Sequence, residues 1–290
     1  MIPCPLNALT RAIVTVAAVV LFAPPSAPAQ GYGSAPTAAA GTVSSWPTGR
    51  KLVALTYDDG PHAKVTPELM DLLEKRKVPA TFYLLGRSVQ ANPKLTAELV
   101  RRGFEVGNHS NTHPQLTKVG ADGTRRELKR TAELITTAAG SDVRIPTMRP
   151  PYGAHNAAVR GVCAEMGYPV ILWDVDTNDW RKGVTAEKIV STVVSQARDG
   201  SIILMHDRLP STVPATARII DELRARGFEF VTVSQLLAYP RATTGAKQTA
   251  PKTEQKAPDK TPAASRPALP RPSAPAGDRT SAFPPPSPVR

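Results

Sequence analysis

The sequence predicts an α/β fold built on parallel strands, and three observations carry that expectation. Short runs rich in β-branched and apolar residues recur between residues 51 and 240, segments with helical spacing separate them, and polar clusters stand where the apolar runs give out. Strands interleaved with helices imply βα units and parallel pairing. Strands are expected at 52–57, 80–85, 105–107, 147–149, 170–174, 202–205 and 228–233. This number suits a closed or nearly closed barrel; a doubly wound open sheet would give the same hydrophobic pattern.

Helices fall between the strands. One is expected over 67–75, with Leu69, Met70, Leu72 and Leu73 at core spacing, and another over 186–198, with Ile189, Val190, Val193 and Val194. Thr66 ahead of Pro67 and Thr185 ahead of Glu187 read as their caps.

The ends of the chain read differently from its body. Residues 1–29 have the form of an export signal: Arg11, an apolar run over 12–23, then Ala27-Pro28-Ala29 as a small-x-small cleavage site. The run falls short of the roughly 20 apolar residues that span a bilayer, so cleavage is expected and an uncleaved membrane anchor is the alternative. Cys4 precedes the run, which argues against a lipid-anchored cysteine at the cleavage site. Residues 30–50 read as a flexible leader, 51–240 as the domain, and 241–290 as a disordered tail of Pro, Ala, Ser, Thr, Lys and Arg.

Of the formal net charge of +12, the tail carries +6, from nine basic against three acidic residues, while 51–240 carries +4, from 25 against 21. Such a tail on an exported, wall-associated protein would be drawn to anionic wall polymers or membrane headgroups, and salt would weaken the attraction. A solvated linker without a partner is the alternative. Nucleic acid is not expected, because no basic motif interleaved with aromatics is present, and a monomer is expected. Loss of the signal leaves Cys163 alone, so a core rather than disulfides must stabilise the domain. Cys163 itself, in step with Val159, Val162 and Met166, reads as a buried filler.

Five clusters carry the chemistry: Thr56-Tyr57-Asp58-Asp59-Gly60-Pro61, His109-Ser110-Asn111-Thr112-His113, Arg149-Pro150-Pro151-Tyr152-Gly153, Asp176-Thr177-Asn178-Asp179-Trp180 and Leu204-Met205-His206-Asp207. In a barrel of βα units such clusters converge at the carboxyl ends of the strands. Adjacent carboxylates resist joint ionisation unless a cation sits beside them, and a metal would let Asp58 and Asp59 take different tasks, one as ligand and one as base. His109 and His113 are four apart, with Pro114 disfavouring helix, so a single turn or loop is expected. Two imidazoles and one carboxylate suit zinc or a similar divalent ion with open positions. Arg149 could hold a carboxylate in one orientation, and the rigid turn after it could aim a backbone N–H at a developing oxyanion. Singly, Asp176 reads as a solvated carboxylate, Trp180 as a core aromatic and His206 as structural; only the conjunction points to a site.

These segments, in this order, resemble the polysaccharide deacetylases of the NodB homology family, and the resemblance covers residues 51–240. It implies a distorted (β/α) barrel with its site at the strand C-terminal face, and metal-dependent removal of acetyl groups from N-acetylated sugars. Position by position it implies Asp58 as general base, Asp59, His109 and His113 as metal ligands, and Arg149 as the residue orienting the base. Tyr152 would supply an oxyanion-binding N–H, Trp180 a wall of the groove, Leu204 the acetyl pocket, His206 the general acid and Asp176 its tuning partner. The implied cofactor is one divalent ion, zinc first, with cobalt, manganese and nickel as alternatives. Peptidoglycan is the leading substrate for an exported cationic protein; chitooligosaccharides, acetylated xylan and a catalytically silent wall-binding role are the alternatives. A non-haem iron oxygenase also uses two histidines and a carboxylate, but it would leave Asp58, Arg149 and His206 without work. Tyr57 and Met205 depart from the residues common in the family, Phe and Leu, and neither touches the implied chemistry.

Overall fold

The structure, a computed structural model, describes residues 41–242. The export signal, most of the leader and nearly all of the tail lie outside the described residues. Eight strands and eight helices run in the order β1 (Thr42–Val43), β2 (Leu52–Asp58), α1 (Val65–Lys75), β3 (Thr81–Leu84), α2 (Gly86–Ala91), α3 (Pro93–Arg101), β4 (Glu105–Asn108), α4 (Gly120–Ala139), α5 (Ala157–Glu165), β5 (Val170–Ile171), β6 (Val175–Asp176), α6 (Ala186–Gln196), β7 (Ser201–His206), α7 (Thr212–Ala225), β8 (Glu229–Phe230) and α8 (Val233–Ala238).

Every strand pair is parallel, as βα units require. One sheet runs β4-β3-β2-β7-β6, and β8 pairs with the start of β2, below the point where β3 joins it. Met148 bridges Asn108 of β4 to Val170 of β5, and the short run 172–174 carries the chain from β5 to β6, which pairs with β7. The strands thus form a distorted barrel whose β5 and β6 are joined by the chain itself and not by a ladder.

The strand expected over 147–149 is reduced to that single bridge, because Pro146 and Pro150 on either side lack the N–H a longer ladder needs. The strand expected over 170–174 is interrupted where Leu172 turns its N–H to Val43 and its carbonyl to Arg149.

Alternation along β2 divides the core. Val53, Leu55 and Tyr57 face α1 and α7 in the main cluster with Leu69, Met70, Ile219 and Ile220, whereas Leu52 and Ala54 face the barrel interior with Tyr83 and Ile202. Each such fully buried aliphatic side chain contributes about 1.5–3 kcal/mol. Tyr57 and Met205, the two departures from the family pattern, lie on the helix side, where the Tyr57 hydroxyl meets Thr216 Oγ at 3.1 Å. Cys163 is buried in a third cluster with Val159 and Val162, and burial pushes its thiol up to about 12.

Thr185 caps α6, accepting from the Lys188 N–H. Thr66 is not a cap: α1 begins one residue earlier, and the Thr66 hydroxyl donates inward to Asp207. The leader is corrected as well. Within 41–50, β1 pairs with β5, Trp46 donates its indole N–H to the Tyr239 carbonyl, and the N–H groups of Thr48 and Gly49 bond to Asp199. The expected tail boundary also moves, since Ala242 donates its N–H to the Pro47 carbonyl. Among the described residues no helix is long and apolar enough to cross a membrane.

Candidate active site

Strand register assembles the site. Asp58 at the end of β2 pairs with His206 at the end of β7, and Asp176 at the end of β6 pairs with Leu204. His109 follows β4 directly. Around them lies a cleft of about 370 Å³, lined by every residue singled out from the sequence except Arg149, which sits buried beneath. A larger groove, about 710 Å³, lies near the opposite ends of β3 and β4. Its charged residues form no metal-ligating cluster among those described.

Asp59, His109 and His113 offer ligand atoms that all lie within 4.8 Å of one another. Asp59 Oδ1 is 3.7 Å from His109 Nε2 and 3.5 Å from His113 Nε2, and this buried oxygen accepts no hydrogen bond. His109 Nδ1 donates to the Arg149 carbonyl at 2.7 Å, which fixes the tautomer and leaves Nε2 as a lone pair facing the carboxylate. Burial, with His109 adding to it, pushes the His113 imidazole down to about 4, so His113 is neutral at neutral pH. An unpaired buried acceptor is costly. A divalent cation among the three atoms satisfies it, and the donor set fits such an ion. His113 sits in a loop, as Pro114 requires, with φ of 65°.

Arg149 holds Asp58 from below. Its Nη1 lies 2.7 Å from Asp58 Oδ1 and also donates to Thr56 Oγ, its Nη2 donates to the Leu172 carbonyl, and its guanidinium lies 4.2 Å from the centre of the Tyr83 ring. One oxygen of Asp58 is thereby fixed, and Oδ2 faces the metal set at 3.7 Å from His109 Nε2.

His206 carries a correction. Its Nδ1 bonds to Asp179 Oδ1 at 2.7 Å, and its backbone N–H donates to Asp179 Oδ2. Asp176, expected as the tuning carboxylate, instead accepts the Asn178 N–H and lines the cleft wall. The reason is geometric: Asp176 still belongs to β6, whereas Asp179 lies in the following turn, which folds its carboxylate back under β7. Burial pulls the His206 imidazole down, but the Asp179 hydrogen bond and the charges of Asp179, Asp58 and Asp59 outweigh it, leaving it pushed up to about 9.

Known proteins resemble this chain in sequence and fold. A family model for polysaccharide deacetylases matches residues 46–171. A chitooligosaccharide deacetylase of Sinorhizobium fredii is 37% identical over 64% of this chain and 92% of its own length. The chain belongs to the polysaccharide deacetylase family. A peptidoglycan-N-acetylglucosamine deacetylase of Listeria monocytogenes is 41% identical over 64% of this chain, which spans only 39% of that relative's length. Among solved structures, a peptidoglycan N-acetylglucosamine deacetylase superposes with a TM-score of 0.65 at 33% identity, covering 71% of this chain and 96% of the other. The family is metal-dependent, in keeping with the Asp-His-His set.

On this polysaccharide deacetylase frame, two residues matter to which the sequence reading gave no role, Asp207 of the last cluster and Glu127. Asp207 is fully buried and accepts the Thr66 hydroxyl, and burial with the Asp59 and Asp58 charges pushes it up to about 7. Its carboxylate lies against Gly60, where a Cβ would stand 2.0 Å from Oδ2, so only glycine lets the Asp58-Asp59 turn close. Glu127 of α4 accepts the N–H groups of Asn111 and Thr112 and so shapes the histidine loop. Asp207 belongs to the His206 cluster but Glu127 to none, and only the fold shows what either one touches. Tyr152, with φ of 61°, and Trp180 stand 68% and 52% exposed at the cleft, so Trp180 is a wall and not a core aromatic.

Proposed function

We propose that this chain is a metal-dependent hydrolase that removes acetyl groups from N-acetylated sugars of a polysaccharide, peptidoglycan first. The carrying observation is the Asp-His-His set flanked by Asp58 on one side and an Asp179-bound His206 on the other. A divalent cation held by Asp59, His109 and His113, zinc before cobalt, manganese or nickel, would polarise the acetyl carbonyl and acidify a water.

The remaining chemistry belongs to the chain. Asp58, with Oδ1 fixed by Arg149, takes the proton of the attacking water at Oδ2. The Tyr152 backbone N–H faces the developing oxyanion, and Leu204 lines the space for the acetyl methyl. His206, whose Nδ1 is occupied by Asp179, donates a proton from Nε2 to the departing amine. Acetate and a free amino sugar result. The export-like first residues support a place outside the cytoplasm at the cell wall, where the basic tail would meet anionic polymers.

Acetate release by the metal-loaded protein on peptidoglycan, chitooligosaccharide and acetylxylan, run side by side, tests this reading. Asp58→Asn is expected to retain metal and lose on the order of 10²–10⁴ in rate, the usual worth of a general base. Full activity in that variant removes Asp58 from the role, and no acetate from any substrate would favour a silent wall-binding protein.

A further inference from the structure

Arg208 follows the His206-Asp207 pair and lies on the lip of the cleft. Its Nε is 3.2 Å from Asp59 Oδ2, and its side chain is 51% exposed. No other ion pair or hydrogen bond engages the guanidinium among the described residues. Nε is thus anchored on a metal ligand, while the Nη groups have no partner among the described residues on a half-exposed side chain that lines the cleft.

Other cations without carboxylate partners flank the same mouth. Arg181 stacks 5.2 Å over Trp180, and Arg87 is exposed on α2, close enough to His113 to bear on its charge. The acidic residues of these loops face other partners or are enclosed. Asp179 is buried with both oxygens hydrogen-bonded, Asp207 is buried with Oδ2 bonded to Thr66 and Oδ1 unpartnered, and Asp176 accepts the Asn178 N–H. Away from the mouth, Arg102, Arg125 and Arg218 each sit against carboxylates. A lip on which Arg208 is held by one carboxylate through Nε alone, beside Arg181 and Arg87, suits an anion carried by the substrate, and a guanidinium edge with two parallel N–H groups suits a carboxylate best.

We propose that Arg208 is a specificity-determining residue. Its free Nη edge takes a carboxylate carried on the glycan beside the acetamido group to be hydrolysed, so the cleft prefers carboxylate-bearing N-acetylated glycans over neutral ones. This deepens the deacetylase reading above and rests on it. Because Nε is held on Asp59, the carboxylate must belong to the sugar being cleaved or to its immediate neighbour.

The test uses the full chain loaded with zinc and three oligosaccharides of equal length. They are one containing N-acetylmuramic acid with its free lactyl carboxylate, the same one methyl-esterified, and an N-acetylglucosamine oligomer. The wild-type protein is expected to favour the free acid over its ester by about tenfold or more in kcat/KM, mainly through KM, and salt should shrink the preference. Arg208→Gln should bring the ratio near one, and Arg208→Lys should keep part of it as a point charge. Two results overturn the proposal. One is a wild-type protein indifferent to esterification. The other is an Arg208→Gln variant that loses equally on all three substrates while its zinc affinity, measured by chelator competition, falls; Arg208 would then act only through Asp59. Absence of acetate from every substrate with wild-type protein would sink the deacetylase reading itself, and this inference with it.

Discussion

At the N-terminal end of the strands Glu105 is buried with its oxygens taken up by the Thr81 hydroxyl and the Ser234 N–H; at the C-terminal end Asp59 is nearly as enclosed, yet its Oδ1 has no partner. Both carboxylates belong to the same barrel, and both pay for desolvation. Glu105 recovers the cost in hydrogen bonds that tie β3 and α8 together. Asp59 gains one ion pair, from Arg208 Nε to Oδ2, while its Oδ1 accepts nothing and faces the Nε2 atoms of two imidazoles. A satisfied buried carboxylate locks a fold, and an unsatisfied one beside neutral donors is a cation site.

Emptying the cation site breaks this comparison hardest. Asp59→Ala, or chelation of the wild-type protein, is expected to bring acetate release down to background. The sharper readout is thermal. Zinc at a hundred times its dissociation constant should stabilise the wild-type protein by about 2.7 kcal/mol, visible as a rise in Tm, and should leave Asp59→Ala unmoved. A wild-type Tm indifferent to zinc would mean that the unpaired oxygen is not awaiting a cation.

The next largest effect separates two carboxylates at the same end. Asp179 accepts from the His206 ring, the His206 backbone and the Thr212 hydroxyl, whereas Asp176 accepts only from its own turn. A general acid works while protonated, so the activity that depends on His206 is present below its pKa and lost as pH rises through it. With His206 pushed up to about 9, the alkaline limb of kcat should lie near that pH. Asp179→Asn removes the charge that raises the imidazole, so the limb should move toward lower pH and the rate at neutral pH should fall by about 10². Asp176→Asn should leave the limb in place. The reverse result would restore Asp176 to the role expected from the sequence.

That exchange shows where sequence reading stops. The apolar runs located β2, β3, β4, β7 and β8, and the ends of β2, β4 and β7 brought Asp58, His109 and His206 to one mouth, because alternation and strand ends are local properties. Asp176 and Asp179 are both polar residues of one cluster after one strand. Choosing between them required knowing which way a turn folds back, and that is decided by packing against β7. The roles of Asp207, Glu127 and Arg208 were not readable for the same reason, since their partners lie 141, 15 or 16, and about 150 positions away along the chain. Residues 41–50 look like a leader by composition, and only distant partners tie them to the domain: β5 pairs with β1, the Tyr239 carbonyl accepts the Trp46 indole N–H, and the Asp199 carboxylate accepts N–H groups from Thr48 and Gly49.

The smallest effect is expected at the satisfied end. Glu105→Ala leaves the Thr81 hydroxyl and the Ser234 N–H without an acceptor in a buried place, which costs about 1–3 kcal/mol for each group left unpaired. Burial already raises the Glu105 pKa, although its hydrogen bonds oppose this, so the neutral amide of Glu105→Gln, which can still accept those bonds, should cost far less than Glu105→Ala. Denaturant midpoints would read both. In each variant the folded fraction should keep its kcat and its zinc affinity, because nothing in the cleft touches Glu105. If Glu105→Gln instead lowered kcat without lowering stability, the two ends of the barrel would be coupled, and the division between a carboxylate that locks and one that binds would fail.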